Sequence, residues 1–206
     1  MRGRLITIEG IDGAGKTTLA AGLRDVLRER GVAAELLREP GGAELSERLR
    51  ELVKDPALNV DPRAEALVYA AARAQLVHER LLPLLDAGTW VLLDRFVDSS
   101  LAYQGGGRAL GVEAIAELNQ FATAGLTPDR TLYLRIDPAA GRARQAVRGQ
   151  AADRLEQEGE TFFGAVALVY EDLAALDPDR IRAIDAAQDP VTVLADAIGA
   201  ISDLLR

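Results

Sequence analysis

The run Gly10-Ile11-Asp12-Gly13-Ala14-Gly15-Lys16-Thr17 fits the spacing G-x-x-x-x-G-K-[ST], a loop able to wrap phosphate oxygens. Gly10, Gly13 and Gly15 let backbone N–H groups turn inward around an anion. Lys16 would reach the β- and γ-phosphates, and the Thr17 hydroxyl would face a divalent cation. Lys16 is one of two lysines beside 22 arginines. A compact ammonium lies between phosphate oxygens as a point charge, where a planar guanidinium needs more room. These residues imply chemistry on a nucleoside triphosphate.

The loop needs a strand before it and a helix after it. Leu5-Ile6-Thr7-Ile8 is a short, β-branched apolar run that reads as a buried strand. From Thr17 to Arg30, Leu19, Leu23, Val26 and Leu27 fall on one helical face, and Gly31 marks the end. Further strands are expected at about 33–38, 90–94, 130–136 and 180–184, with the first at 4–9. Helices are expected near 15–30, 43–54, 63–87, 111–124, 138–148, 157–176 and 190–205. The alternation predicts an α/β fold, a central parallel five-stranded sheet flanked by helices on both faces. Gly105-Gly106-Gly107 and the polar stretch Gly149–Gly159 read as loops, the second a candidate lid within about 148–159.

Ligands of open α/β sheets gather at the carboxyl ends of the strands. Glu9 and the glycine loop follow the first strand there, Arg38-Glu39-Pro40-Gly41-Gly42 the second, and Asp94-Arg95-Phe96 the third. Asp94 is placed to hold a magnesium-bound water, and Arg95 to meet a second phosphate group. Tyr69 and Arg73 stand at i and i+4, so a ring and a guanidinium share a helix face, which suits a planar anionic ligand. An amphipathic helix with a half-buried tyrosine has the same spacing. His78, the single histidine, reads as an exposed helix residue, and Trp90 as core.

Composition narrows the classes. The 206 residues suit one domain with a substantial core. The net charge of -8 argues against a general nucleic-acid binder. No apolar stretch is long enough to span a bilayer, and no signal peptide is visible, so membrane attachment is not expected and a cytoplasmic location is. With no cysteine there is neither a disulfide nor a thiolate metal site.

Four segments together resemble bacterial thymidylate kinases: Glu9 through Thr18, Arg38 through Gly42, Asp94 through Phe96, and Asp98-Ser99-Ser100-Leu101-Ala102-Tyr103-Gln104-Gly105. The likeness runs nearly end to end, through Tyr69–Leu76 and Asp153-Arg154-Leu155-Glu156. It implies a three-layer P-loop kinase fold in a single domain, usually a homodimer, that transfers the γ-phosphoryl of ATP to dTMP with Mg²⁺. By that resemblance Gly10, Gly13, Ala14, Gly15, Lys16, Thr17, Thr18 and Arg148 would hold ATP. Asp12 would contact the sugar 3′-hydroxyl, and Arg95 and Arg38 the acceptor phosphate. Tyr69 would stack on thymine, Arg73 contact base or phosphate, and Ser100 meet the thymine edge, with Gln104 nearby. Tyr103 would crowd the 2′ position. Thr17, Asp94 and Glu39 would organise the metal, partly through water. Lys16, Arg95, Asp94 and a lid arginine would carry catalysis.

Some relatives place a basic residue inside the glycine loop, where this chain has Gly13, so the arginine is expected in the lid, at Arg154 first and Arg148 second. Relatives often carry two arginines where Ala165 and Ala167 stand here, and some have glutamine in place of Leu101. Two other readings fit the loop: a kinase for another nucleotide or deoxynucleoside, or a nucleotide-dependent switch. No N-K-x-D guanine reader is present.

Overall fold

The computed structural model describes residues 2–147 and 153–205. Five parallel strands, β1 (Leu5–Glu9), β2 (Ala34–Arg38), β3 (Trp90–Asp94), β4 (Arg130–Arg135) and β5 (Ile181–Asp185), form one sheet in the order β2-β3-β1-β4-β5. All four pairings are parallel, with Ile6 opposite Leu92 and Leu132 opposite Arg182. Every residue of β1 is buried, as its apolar run requires for a strand covered on both faces.

The helices are α1 (Lys16–Glu29), α2 (Glu44–Lys54), α3 (Pro62–Leu76), α4 (Leu82–Asp86), α5 (Val97–Ser100), α6 (Val112–Thr123), α7 (Pro138–Ala146), α8 (Glu160–Leu176) and α9 (Pro190–Ala200). Asp61, Asp137 and Asp189 each cap the helix that follows by accepting two backbone N–H bonds ahead of a proline in the first turn. One main core cluster packs α1, α8 and α9 against the sheet through Leu19, Leu23, Leu27, Val166, Tyr170 and Ala197. Leu76, Leu81, Leu85 and Phe96 fill the other side. Leu19, Leu23 and Leu27 are the expected inward stripe of α1, with Val26 at its half-buried margin.

The expected strands are in place, each within a residue or so of its reading. The single helix expected at 63–87 is instead α3, a π-helical turn at Val77–Leu81, and α4. The Leu82 N–H donates to the Val77 carbonyl, one residue wider than the α spacing. Pro83 follows directly; it has no N–H and crowds the carbonyl four residues back, so the ladder loosens there. Gly105–Gly107, expected as a loop, belongs to a second π-helical segment, Leu101–Gly107. A Cβ on Gly106 would press on Val169 and the Ala165 carbonyl, and one on Gly107 on the Phe162 ring. These glycines let α8 approach the segment closely rather than let the chain flex. The last expected helix ends at Ala200, and Ser202–Leu205 is a 3₁₀ turn.

Candidate active site

The carboxyl ends of β1, β2 and β3 open into one cavity of about 590 Å³. Its floor is the loop between β1 and α1. Gly13 has φ +81°, and a Cβ there would run into the Gly141 carbonyl of α7, so only glycine fits this close approach. Lys16, 7% exposed, donates from Nζ to the Gly10 and Ile11 carbonyls, both at 3.0 Å, and lies 3.8 Å from Asp12. Burial, then the repulsion of Arg95, brings its pKa down to about 8. Thr17 and Thr18 are exposed at the start of α1, whose N-terminal dipole and free N–H groups face the cavity.

Arg95 follows β3 with φ +71°, the left-handed region that a side chain adopts only when held there. Its N–H donates to the Ile8 carbonyl at 3.0 Å, and the next N–H, of Phe96, donates to Glu9 Oε1 at 2.7 Å. Glu9 is fully buried and also accepts from the Ser99 hydroxyl at 2.5 Å and the Tyr170 hydroxyl at 3.0 Å. Burial and then the nearby Asp98 carboxylate raise its pKa. The Arg95 guanidinium donates to Asp12 Oδ1 at 2.6 Å, to the Tyr103 hydroxyl at 3.1 Å and to Ser99 Oγ at 3.1 Å, and lies over the Tyr103 ring at 4.9 Å. Burial would raise the Asp12 pKa, but Arg95 and Lys16 more than offset it and hold the carboxyl well below the usual range. Tyr103 in turn donates to Asp12 Oδ2 at 3.2 Å. Asp98 anchors this corner from behind, accepting from Arg180 at 2.7 Å and Thr131 at 3.2 Å.

Asp12, Gly13, Gly15, Lys16, Thr17, Arg38, Glu39, Tyr69, Asp94, Arg95, Ser100, Tyr103 and Gln104 all line this cavity, so the structure brings together most of the positions singled out from sequence. Ser100 and Tyr103 are buried wall residues. Arg38 is exposed at the rim and shares Glu47 with the Gly42 N–H.

Gly10, Ala14 and Thr18 belong to the loop and the start of α1 without lining the cavity, and two expected arginines point elsewhere. Arg73 is 2% exposed and stands behind the wall. Its guanidinium is fully engaged by Glu39, Ser100, Asn119 and the Phe96 carbonyl. A buried arginine with every arm bonded orders the site rather than reaching a ligand. Arg154, expected at the phosphates, does not line the cavity either; it donates to Glu65 at 2.6 Å and to the Val53 carbonyl at 3.1 Å. A buried carboxylate outcompetes open solvent for a guanidinium, and the sequence did not disclose where Glu65 would lie. Arg148 lies outside the described residues.

Sequence reading missed Arg50 and Lys54 on the cavity wall and Glu65 behind it, and gave Asp153 and Leu155, both on the wall, no role beyond the candidate lid. Glu65 could have been found, since it precedes Tyr69 by four residues on the same helix. Arg50 could have been found as i+3 from Glu47. Nothing local marks Leu155.

The wall also offers hard oxygen donors. Thr17 Oγ1 donates to Asp94 Oδ2 at 3.2 Å. Glu39 is buried, pairs with Arg73 through Oε2 at 2.6 Å, and among the described residues leaves Oε1 without a partner. Burial pushes its pKa up to about 7 against the pull of Arg73. Among the described residues no cluster of three or more metal-ligating side chains is present. One hydroxyl, one carboxylate and an orphaned carboxylate oxygen fit a small divalent cation that keeps its waters and shares phosphate oxygens.

A glycine cradle at one end and an arginine–tyrosine cluster at the other, within a single cavity of a parallel sheet, define a P-loop kinase acting on a phosphorylated acceptor. A family model described as thymidylate kinase matches residues 8–198. A thymidylate kinase of Halorhodospira halophila is 47% identical over 206 residues, covering 99% of this chain and 96% of that protein. Those of Deinococcus radiodurans (46%, 98% of each chain) and Halalkalibacterium halodurans (44%, 99% and 98%) are similar over the same extent. The chain belongs to the thymidylate kinase family.

Proposed function

We infer that the chain transfers the γ-phosphoryl group of ATP to dTMP, giving dTDP and ADP. The observation that carries this reading is the shared cavity, with Lys16 on the donor side and Arg95, Tyr103, Ser100 and Tyr69 on the acceptor side. A phosphate oxygen of dTMP attacks the γ-phosphorus, the bond to the β–γ bridging oxygen breaks, and ADP leaves with those electrons. The attacking oxygen is already ionised, so no general base is required of the protein.

Each residue then has a physical task. Gly10, Gly13, Ala14, Gly15, Thr17 and Thr18 present backbone N–H groups and the helix terminus to the donor phosphates. Lys16 leaves the Gly10 and Ile11 carbonyls for phosphate oxygens. Arg95 binds the acceptor phosphate, steered by Asp12, which also faces the sugar 3′-hydroxyl. Tyr69 offers its face to the base, Ser100 and Gln104 its edge, and Tyr103 fills the space a 2′-hydroxyl would need. Arg73 fixes Ser100 and Glu39 from behind. Two phosphates 4 Å apart repel by about 4 kcal/mol at an effective dielectric near 20, and Lys16, Arg95 and Arg38 offset this. Thr17, Asp94 and Glu39 would hold Mg²⁺, which when bound neutralises charge on the donor phosphates.

We also propose a cytoplasmic homodimer. Among the described residues no helix is long and apolar enough to cross a membrane. Exposed Leu52, Leu67 and Phe121 on α2, α3 and α6 supply apolar surface for a second copy. Sedimentation at micromolar concentration tests this; a monomer overturns it.

The function is tested by ADP release with ATP and Mg²⁺ across dTMP, dUMP, dCMP, AMP and GMP. Strong preference for dTMP is expected. Equal turnover of another monophosphate, or ADP release independent of any acceptor, overturns the reading.

A further inference from the structure

Glu65 is fully buried on α3, one turn before Tyr69, and holds three donors from two other parts of the molecule. Gln104, on the cavity wall, donates to its Oε1 at 2.9 Å. Arg108, which closes the π-helical segment, donates from Nε to Oε2 at 3.2 Å and reaches Glu158 with its other arm. Arg154, from the candidate lid, donates to Oε2 at 2.6 Å. No residue of the donor loop takes part.

Other contacts fasten the same segment to the same side. Lys54, the second of the two lysines, pairs with Asp153 at 2.7 Å. Arg154 donates from Nε to the Val53 carbonyl at 3.1 Å and from its backbone to Lys54 at 3.3 Å. These reach α2, and the Arg154–Glu65 pair reaches α3. Asp153 and Leu155, which flank Arg154, are themselves cavity wall, and Leu155 packs into the main core. The segment thus roofs the side where Tyr69 and Gln104 stand.

We propose that Glu65 is a positioning residue for the reaction, docking the segment 153–158 onto the acceptor half so that the roof it makes over the base pocket exists only while Arg154 sits on its carboxylate. The proposal rests on reading the Tyr69 side as the dTMP site. A buried carboxylate is costly without its cations, so Glu65 holds Arg154 firmly once the segment is down. It shares its other oxygen with Gln104, so the roof and the base-facing wall are set by one group. Arg154 therefore acts through acceptor binding, not through the transferred phosphoryl.

The test uses the full chain with Glu65→Gln, Arg154→Met and both together. Calorimetric titration measures dTMP without ATP, and ATP with Mg²⁺ separately. Each single change should weaken dTMP about tenfold or more, as expected for a lost charge-assisted hydrogen bond, with ATP affinity within about twofold. The double variant should be no worse than about twofold beyond the weaker-binding single, because both remove one interaction. Unchanged dTMP affinity in the singles, losses that multiply in the double, or equal loss for ATP would overturn it. If Glu65→Gln fails to fold, Glu65→Asp, which keeps the charge but withdraws it, takes its place with the same outcomes. A wild-type chain that does not bind dTMP would instead overturn the functional reading itself.

Discussion

Asp12 and Arg95 meet across the cavity at 2.6 Å, one from the donor loop and the other from the end of β3. This pair joins the two halves of the site. Arg95 also spans Tyr103 and Ser99, which a planar fork can do and a single ammonium cannot. Arg95→Lys should raise the KM for dTMP at least about tenfold and leave that for ATP nearly unchanged. Steady-state kinetics with each substrate varied decides it; equal shifts in both would show that Arg95 is not on the acceptor side.

Lys16 has a pKa of about 8 because burial and then Arg95 disfavour its charged form. Phosphates favour that form, so ATP binding near pH 8 should draw in up to about half a proton. Calorimetry in buffers of different ionisation enthalpy measures this. Lys16→Ala should lose both the uptake and turnover while unfolding at nearly the wild-type temperature. A wild type that releases protons at this pH contradicts the argument.

Glu39 acts in the opposite sense. Its pKa is raised to about 7 from 4.5, by burial first, so the fold favours the protonated acid. The stability it confers is complete below pH 4.5 and is lost as pH rises through 7, by roughly 3 kcal/mol at most. Urea midpoints of the nucleotide-free protein should therefore fall between pH 5 and 8, and Glu39→Gln should flatten that slope. An identical slope in the variant would place the titration elsewhere.

Gly13 and Gly15 both have positive φ, but only Gly13 lacks space for a side chain. Gly13→Ala must displace the Gly141 carbonyl, whereas Gly15→Ala meets only backbone strain of about 1–2 kcal/mol. Thermal unfolding without nucleotide should show the larger loss for Gly13→Ala. Equal losses would mean that α7 yields freely.

The sheet and the donor loop were legible in the sequence because both are local. Leu5–Ile8 and Trp90–Leu93 announce buried strands by β-branched, apolar runs, and the loop carries its own spacing. The helical stripe of Leu19, Leu23 and Leu27 was equally plain. The π-helical turns were not, since they depend on Pro83 and on how closely α8 presses on Gly106 and Gly107. In the site, residues at strand ends were found because topology sends them to one edge. Arg73 and Arg154 were named but placed in the cavity, which they do not line. What decides their direction is a carboxylate far along the chain, Glu39 for one and Glu65 for the other. A sequence shows that a guanidinium is present; it does not show which acid will claim it.

The strand order supports the parts of the site unequally. The glycine loop and Arg95 follow β1 and β3, each with neighbours on both sides, while Arg38 and Glu39 leave β2, an outermost strand with one. Warmth works first on margins, where fewer bonds must part together. As this enzyme is heated toward unfolding, the contacts of Arg38 and Glu39 should loosen before those of the glycine loop and Arg95, so turnover would slow while both nucleotides are still held.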